Sequence, residues 1–178
     1  MFLIDCGFNI NMYEGGLHPC TAPHNHLDTF ADADYAMDYT RRSTSGILIM
    51  LNGGPVTWSS RLKKSTAQST AEAEIIAAAD ATKEALHLSL MLTELGVIKD
   101  KTITIHEDNA ACIAQGQQLR NRRAAKHYEV RLRFLQEHVA RRSIEFVYCP
   151  TRLQLADGFT KPLDEATFLD HRQRILGV

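Results

Sequence analysis

The sequence has 178 residues, of which 44% are hydrophobic and 23% are charged, and such a length and composition are typical of one globular domain. The formal net charge of −1 excludes a strongly basic surface, so any contact with nucleic acid must come from local clusters of charge. Four scattered cysteines without a C-x-x-C pair argue against a zinc site and a dense disulfide framework, and favour free thiols in a reducing compartment.

The first part of the chain predicts strands. Residues 1–26 combine many turn formers with little periodicity, and we expect an irregular lead-in there. Strand patterns follow at 27–35, 46–52 and 55–59, and Asn52-Gly53-Gly54 supplies a tight hairpin turn between the last two. Three successive antiparallel strands are therefore predicted.

The remaining chain alternates helices and strands. Ser69-Thr-Ala-Glu72 is a capping-box pattern that begins a long helix, and Gly96 is placed to end it. The later strands are predicted at 102–106 and 144–148, and the later helices at 109–115, 127–141, 153–160 and 164–176. This order predicts an α/β fold: a mixed five-stranded sheet, its first three strands antiparallel, with helices packed on it.

No targeting or membrane-spanning segment is recognisable. The first residues lack a basic region followed by an apolar core, and no later stretch approaches the ~20 apolar residues of a membrane span. We therefore expect an intracellular protein, cytoplasmic or nuclear and not secreted, without a membrane partner.

Glu74 stands where the long helix should be apolar. Steps of four and three residues from Glu74 define a buried stripe through Ala78, Ala81, Ala85, Leu88, Leu92 and Leu95. Glu72 lies toward the polar side of the helix and has a capping role available. Glu74 is therefore the anomalous glutamate, although a first-turn glutamate favoured by the helix dipole explains it equally well.

Aspartates at three other places can join Glu74. Asp32 and Asp34 point to one face of the first strand, with alanines on the other face. Asp108 follows the fourth strand, and Asp157 lies in the short helix after the fifth. Because aspartate is common at helix starts, a simple capping role stays open for Asp108 and for Asp157.

Convergence of these acids at one edge of the sheet would create a negative cluster. Mutual repulsion would raise the pKa values of the carboxyl groups, and divalent cations would relieve that repulsion. Ligation by oxygen alone selects hard ions, so Mg²⁺ is expected, with Mn²⁺ as a substitute, and zinc is not.

The acids fall inside strings that resemble those of ribonuclease H domains in copia-type (LTR) retrotransposon Pol polyproteins. The strings are Phe30-Ala-Asp32-Ala-Asp34-Tyr-Ala, Thr40-Arg-Arg-Ser-Thr-Ser-Gly46, Trp58-Ser-Ser-Arg-Leu-Lys, Gln68-Ser-Thr-Ala-Glu72-Ala-Glu74, His106-Glu-Asp108-Asn109, Lys126-His127 and Leu155-Ala-Asp157-Gly-Phe-Thr-Lys161-Pro-Leu163. The match runs in the family's order from about Tyr13 to Leu163, which makes it far more specific than any single motif.

This resemblance implies a ribonuclease H-like fold whose catalytic residues and metal ligands are Asp32, Glu74, Asp108 and Asp157. It selects Asp32 over Asp34 and agrees with the choice of Glu74 from the helix stripe. Members of the family cut the RNA strand of RNA–DNA hybrids endonucleolytically with two Mg²⁺ ions, for which Mn²⁺ can substitute, during retrotransposon reverse transcription.

The resemblance also implies a domain division and partners. Residues 27–163 correspond to the ribonuclease H domain, 1–26 to a lead-in left from the connection to a reverse transcriptase, and 164–178 to a C-terminal helix. The expected partners are an RNA–DNA hybrid and the reverse-transcriptase domain of the same polyprotein. The departures from the family's usual residues, none at an expected ligand, are Tyr35, Met37 and Arg133.

Contacts with nucleic acid are predicted at Asn109, Lys126 and His127. Asn109 would read 2′-hydroxyl groups, and a basic cluster would follow the phosphates of the hybrid. That cluster consists of Arg120, Arg122, Arg123 and Lys126, and a second one of Arg41, Arg42, Arg61, Lys63 and Lys64. A solvated charged face and a structural histidine are the alternative interpretations. Trp58 is predicted to pack in the core.

Other functions fit the residues less well. A proofreading-type exonuclease would require a glutamate at the position of Asp34. An integrase-like enzyme would require a glutamate on a helix after the second aspartate, whereas the available Glu145 lies in a predicted strand. The alternative of another class is a non-catalytic module that binds a hybrid or a partner protein. Acids at all four expected positions count against it.

Overall fold

The computed structural model describes residues 25–35, 41–64, 66–99, 102–118 and 126–177. The strands are β1 Leu27–Asp34, β2 Thr44–Leu51, β3 Gly54–Leu62, β4 Ile103–Glu107 and β5 Ile144–Tyr148. The helices are α1 Thr70–Glu94, α2 Ala110–Gln117, α3 Lys126–Ala140 and α4 Glu165–Leu176. Two 3₁₀ turns, Thr151–Leu153 and Leu155–Phe159, lie between β5 and α4 and are called the first and second turn below.

The five strands form one mixed sheet in the order β3-β2-β1-β4-β5. β1 pairs with β2 and β2 with β3 in antiparallel fashion, whereas β4 runs parallel to both β1 and β5. The predicted mixed five-stranded sheet is therefore confirmed. Asn52 and Gly53 both adopt positive φ angles, of 52° and 80°, in the β2–β3 turn, as a tight hairpin requires.

Helix α1 begins and ends where the sequence predicts. The Ser69 hydroxyl accepts a hydrogen bond from the Glu72 backbone N–H at 3.2 Å, and Gly96 takes a left-handed φ of 72° after the last turn. The expectation that Glu72 lies toward the polar side is wrong, because its buried carboxylate folds back and accepts from the Gln68 backbone N–H. Leu95, the last member of the predicted buried stripe, is exposed because the helix ends beyond the core.

The two faces of β1 meet different parts of the fold. Ala31 packs with α1 in the main core, and Ala33 packs against alanines of the first turns of α1. On the opposite face Phe30 contacts a smaller cluster built around Leu48 and Leu155, to which the second turn and α4 contribute. Asp32, which alternates with the alanines, thus lies on the side of the second turn.

Two other expectations need correction. Trp58 is 61% exposed rather than in the core, because β3 is the edge strand and α4 covers it only in part. The single helix predicted at 153–160 is two 3₁₀ turns, because Gln154 leaves helical geometry between them with ψ 94°.

Of the cysteines, Cys112 and Cys149 are free and buried, while Cys6 and Cys20 lie outside the described residues. None of the described helices has the length and apolarity needed to cross a membrane.

Candidate metal centre

Three carboxylates from three elements meet at one edge of the sheet. Asp32 lies near the end of β1, Asp108 directly follows β4, and Glu74 lies in the first turns of α1. One oxygen of each carboxylate lies within 4.8 Å of one oxygen of both others. The carboxyl ends of β1 and β4 meet here because the two strands are parallel neighbours. Asp34 is not a member of this group.

Burial makes ionisation of Asp32 and Glu74 unfavourable. Asp32 and Glu74 are 3% and 4% exposed, and Oε2 of Glu74 has no hydrogen-bond partner among the described residues. Burial, with the charges of Glu107, Asp32 and Asp108, raises the pKa of Glu74 to about 10. Burial, with the charges of Asp157 and Asp108, raises the pKa of Asp32 to about 6. Protons therefore compete with a cation for the carboxylates of Glu74 and Asp32.

Asp157 lies beside the trio rather than within it. It belongs to the second turn, is buried, and its charge contributes to the raised pKa of Asp32. Its Oδ2 pairs with the Lys161 ammonium at 2.8 Å, whereas its Oδ1 has no partner among the residues described. The structure thus brings together three of the four expected ligands and places the fourth next to them.

The donor set fits a hard divalent cation. The trio offers only carboxylate oxygens, and no histidine or cysteine belongs to it. The buried oxygens of Glu74 and Asp157 that lack a partner are further acceptors for a cation. Mg²⁺ or Mn²⁺ therefore suits these residues better than zinc does.

Hydroxyl groups from the segment after β5 orient two of the carboxylates. The Thr160 hydroxyl donates to Oδ2 of Asp32, and the Thr151 hydroxyl donates to Oδ2 of Asp108 at 2.8 Å. Sequence reasoning missed both threonines. Thr160 lies inside the string that carries the family resemblance, which is a usable signal, whereas nothing in the local sequence marks Thr151.

Glu107 is a fifth carboxylate that sequence reasoning also missed. It is fully buried, its Oε1 accepts from the Asn109 backbone N–H at 3.1 Å, and its Oε2 has no partner among the described residues. Burial raises the pKa of Glu107 to about 8, and the charge of Asp108 adds to the effect. The signal was available, because Glu107 alternates with the buried Ile103 and Ile105 of β4.

Asn109, not Asp108, caps α2. Its side-chain oxygen accepts from the backbone N–H groups of Ala111 and Cys112 at 2.9 and 3.1 Å. The open alternative of a capping role for Asp108 is thereby removed. Only the amide NH₂ of Asn109 is left for a ligand, because the oxygen is engaged.

The basic clusters are described only in part. Lys126 and His127 begin α3, but their side chains, like Arg120, Arg122 and Arg123, lie outside the described residues. In the other cluster Lys63 pairs with Asp80 at 2.6 Å and Arg61 with Glu84 at 3.7 Å. These pairs favour the interpretation of that cluster as a solvated charged face.

Comparison of sequences finds relatives among retrotransposon polyproteins. No family model matches the chain. It is 34% identical over 143 residues to the retrovirus-related Pol polyprotein from transposon TNT 1-94 of Nicotiana tabacum, a match that covers 80% of this chain and 11% of the polyprotein. It is 31% identical over 152 residues to that from transposon RE1 of Arabidopsis thaliana, which covers 84% and 10%. The chain spans about a tenth of the length of these relatives.

A shorter match is to a protein that is not named a polyprotein. The chain is 47% identical over 76 residues to the secreted RxLR effector protein 161 of Plasmopara viticola, and the match covers 42% of this chain and 54% of that protein.

Comparison of structures finds ribonuclease H folds. LC11-RNase H1, isolated from compost by a metagenomic approach, gives a TM-score of 0.59 at 17% identity, covering 76% of this chain and 93% of that one. The N-terminal RNase H domain of rv2228c from Mycobacterium tuberculosis gives 0.57 at 12% identity, covering 82% and 98%. LC11-RNase H1 in complex with an RNA/DNA hybrid gives 0.56 at 14% identity, covering 75% and 93%.

At such identities the structural likeness shows the fold and nothing finer. The strand order and the antiparallel first three strands agree with it. By sequence this chain is a relative of copia-type retrotransposon Pol polyproteins over about four fifths of its length, and its fold is that of ribonuclease H.

Proposed function

We propose that this chain hydrolyses the RNA strand of RNA–DNA hybrids endonucleolytically, by a mechanism that uses two divalent cations, as part of retrotransposon reverse transcription. The observation that carries the proposal is the meeting of Asp32, Glu74 and Asp108 at the edge of a ribonuclease H fold. Kinship with Pol polyproteins and the hybrid in the LC11-RNase H1 complex support the substrate class.

Asp32, Glu74 and Asp108 would hold one Mg²⁺ or Mn²⁺, and Asp157 would contribute its unpartnered oxygen to a second. When bound, the cations would supply an activated water and neutralise charge on the scissile phosphate. No residue of the chain has to form a covalent bond to the RNA.

The protein's own residues prepare the centre for this chemistry. Glu74 and Asp32, whose pKa values burial raises, give up their protons as the site takes up positive charge. The hydroxyl groups of Thr160 and Thr151 fix one oxygen each of Asp32 and Asp108. The ammonium of Lys161 balances the buried charge of Asp157. The three aspartates are thus each held by a neighbouring side chain before substrate arrives.

Contacts with the hybrid are assigned to Asn109, Lys126 and His127. Asn109 directly follows Asp108 in the sequence. Its amide NH₂ would therefore lie near the RNA strand at the scissile phosphate. Lys126 and His127 would contact backbone phosphates from the start of α3. We further propose the reverse-transcriptase part of the same polyprotein as partner, a cytoplasmic or nuclear site of action, and residues 27–163 as the functional domain.

Substitution of Asp108 by asparagine tests the proposal. With an end-labelled RNA–DNA hybrid and Mg²⁺, the D108N variant should lose RNA cleavage by about 100-fold or more, because it removes a ligand charge and leaves side-chain volume unchanged. Asp170→Asn is the matched control, since Asp170 is an exposed acid of α4 that pairs with Arg174. Cleavage by D108N at the wild-type rate would refute the assignment of the centre.

The second candidate is a non-catalytic module that binds a hybrid or a partner protein. The observation that favours it is the match to a protein named an effector rather than a polyprotein. In that case the wild-type chain should bind hybrid or partner without any product in Mg²⁺, and D108N should bind in the same way. The cleavage assay with a parallel gel-shift assay separates the two functions.

A further inference from the structure

The side chain of Gln154 joins the three segments that carry the aspartates of the centre. Gln154 is fully buried between the first and second turns. Its Nε2 donates to the carbonyl oxygens of Ala31 at 3.0 Å and His106 at 3.2 Å. Its Oε1 accepts from the Ala156 backbone N–H at 3.4 Å. Ala31 and Ala156 directly precede Asp32 and Asp157, and His106 is two residues before Asp108.

These contacts lie where β1 and β4 stop pairing, next to the carboxylates of the centre. The parallel pairing of β1 with β4 ends at Phe30 and His106. Beyond this pair the strands lead into Asp32 and Asp108, and the Gln154 amide satisfies a carbonyl on each side of the opening. One amide nitrogen thus holds a carbonyl of each strand, which restrains how far the two strands separate here.

We propose that Gln154 is a positioning residue that sets the distance between Asp32 and Asp108 and the place of Asp157 beside them, and thereby the affinity of the centre for divalent cations. Gln154 acts through the backbone and touches neither substrate nor cation. The inference rests on the proposed function, because it takes cation binding by these carboxylates as its premise. Outer partners of metal ligands commonly change metal affinity in this way.

Gln136 offers a matched control elsewhere in the fold. Its Nε2 also donates to two backbone carbonyl oxygens, those of Gln115 at 2.9 Å and Gln118 at 2.6 Å. These bonds join α3 to the end of α2, and none of them reaches a segment directly next to a carboxylate of the centre. Replacing either glutamine by methionine removes its two bonds to carbonyl oxygens with little change in side-chain volume, and at Gln154 it also removes the bond from the Ala156 N–H.

The experiment measures Mn²⁺ affinity by titration calorimetry for the wild type, Q154M and Q136M, at a temperature where thermal denaturation shows each to be folded. We expect Q154M to bind Mn²⁺ about 10- to 100-fold more weakly than the wild type, and to lose kcat for hybrid cleavage without a matching rise in KM. Q136M should lose thermal stability but keep the wild-type affinity. If Q154M does not fold, Q154N is measured instead, and the same loss of Mn²⁺ affinity is expected. This substitution draws the amide back by one methylene.

The outcomes separate this inference from its premise. Unchanged Mn²⁺ affinity in a folded Gln154 variant would overturn the inference alone, and so would an equal loss in Q136M, because the effect would then be general destabilisation. Absence of Mn²⁺ binding by the wild type would overturn the proposed function and the inference with it. A selective loss in the Gln154 variant, with wild-type binding abolished by D108N, would support both.

Discussion

The ammonium of Lys161 lies 2.8 Å from Oδ2 of Asp157, while Oδ1 of the same carboxylate has no partner among the described residues. Lys161 is therefore the counter-charge of a buried acid in the cation-free protein. Burial lowers the pKa of Lys161, but the hydrogen bond to Asp157 and the charges of Asp32, Asp157 and Asp108 outweigh it and raise this pKa overall, so Lys161 stays protonated. Asp157 can therefore pair both with the Lys161 ammonium and with an added divalent cation, and the first prediction follows from this.

Lys161→Met should destabilise the cation-free protein by about 1–3 kcal/mol, because Asp157 is left buried without its charged partner. Mg²⁺ should then raise the melting temperature of the variant more than that of the wild type, since the added cation replaces the lost charge. Thermal denaturation with and without Mg²⁺ measures both effects. Lys83→Met, which removes an exposed pair with Asp80, is the control. An equal Mg²⁺ shift in K161M and wild type would contradict the account.

The raised pKa of Glu74 makes stability depend on pH. In the unfolded chain Glu74 loses its proton near its ordinary value of 4.5, whereas in the folded protein it does so at about 10. Between these values the folded state binds more protons, so the stability of the cation-free protein should fall as pH rises from 5 to 8. Glu74→Gln cannot ionise and should flatten this dependence while it abolishes cleavage.

Urea denaturation in EDTA at the two ends of that pH range checks this prediction. E74Q should exceed the wild type in stability most at the higher pH. Glu137→Gln, on the exposed surface of α3, serves as control and should follow the wild type. Parallel pH profiles for E74Q and the wild type would show that Glu74 carries no burial penalty.

Gly46 pairs with Asp32 across β1 and β2, and the second turn packs directly over it. A Cβ atom at Gly46 would meet the Ala156 carbonyl oxygen at 2.7 Å and Cγ2 of Thr160 at 2.8 Å. Gly46→Ala should therefore displace the second turn and reduce kcat by about 10-fold or more, because Asp157 moves with the turn. It should also cost roughly 1–3 kcal/mol of stability.

Gly158→Ala is the control for that substitution. A Cβ atom at Gly158, in the same turn, would meet only Cδ1 of Leu163 at 3.5 Å, an ordinary contact. Its kcat should stay close to that of the wild type. If both alanine variants cleave equally well, the close packing of the second turn on β2 does not control the centre.

Asn109 allows its capping role to be separated from its proposed contact with the hybrid. Asn109→Asp retains an oxygen for the N–H groups of Ala111 and Cys112, so stability should change little. Asn109→Ala should cost about 1 kcal/mol, because the cap is lost. If the amide NH₂ contacts RNA, both variants should raise KM for the hybrid. Wild-type KM for Asn109→Asp would restrict Asn109 to capping.

Most elements of the fold could be predicted because their signals are local. Alternation defined β1, and a capping box and a glycine bounded α1. The Asn52-Gly53 turn fixed the hairpin of β2 and β3. The same periodicities indicated Glu74, and they indicated Asp32 and Asp34 alike, since an acid on an apolar stripe or inside a strand is conspicuous without any tertiary information. Only the family resemblance selected Asp32 over Asp34.

The contacts around the centre could not be predicted, because they join residues far apart in sequence. Thr160 reaches Asp32 across 128 positions, and Thr151 reaches Asp108 across 43. Trp58 was misplaced for a related reason: its exposure depends on how far α4 covers the edge of the sheet, which periodicity does not encode.

The decisive measurement is cleavage of an end-labelled RNA–DNA hybrid by the purified chain with Mg²⁺, with double-stranded DNA, double-stranded RNA and an EDTA sample alongside. We expect internal cutting of the RNA strand of the hybrid alone, and only when a divalent cation is present. Cutting that persists in EDTA, or no cutting of any substrate by folded protein that binds the hybrid, would contradict it.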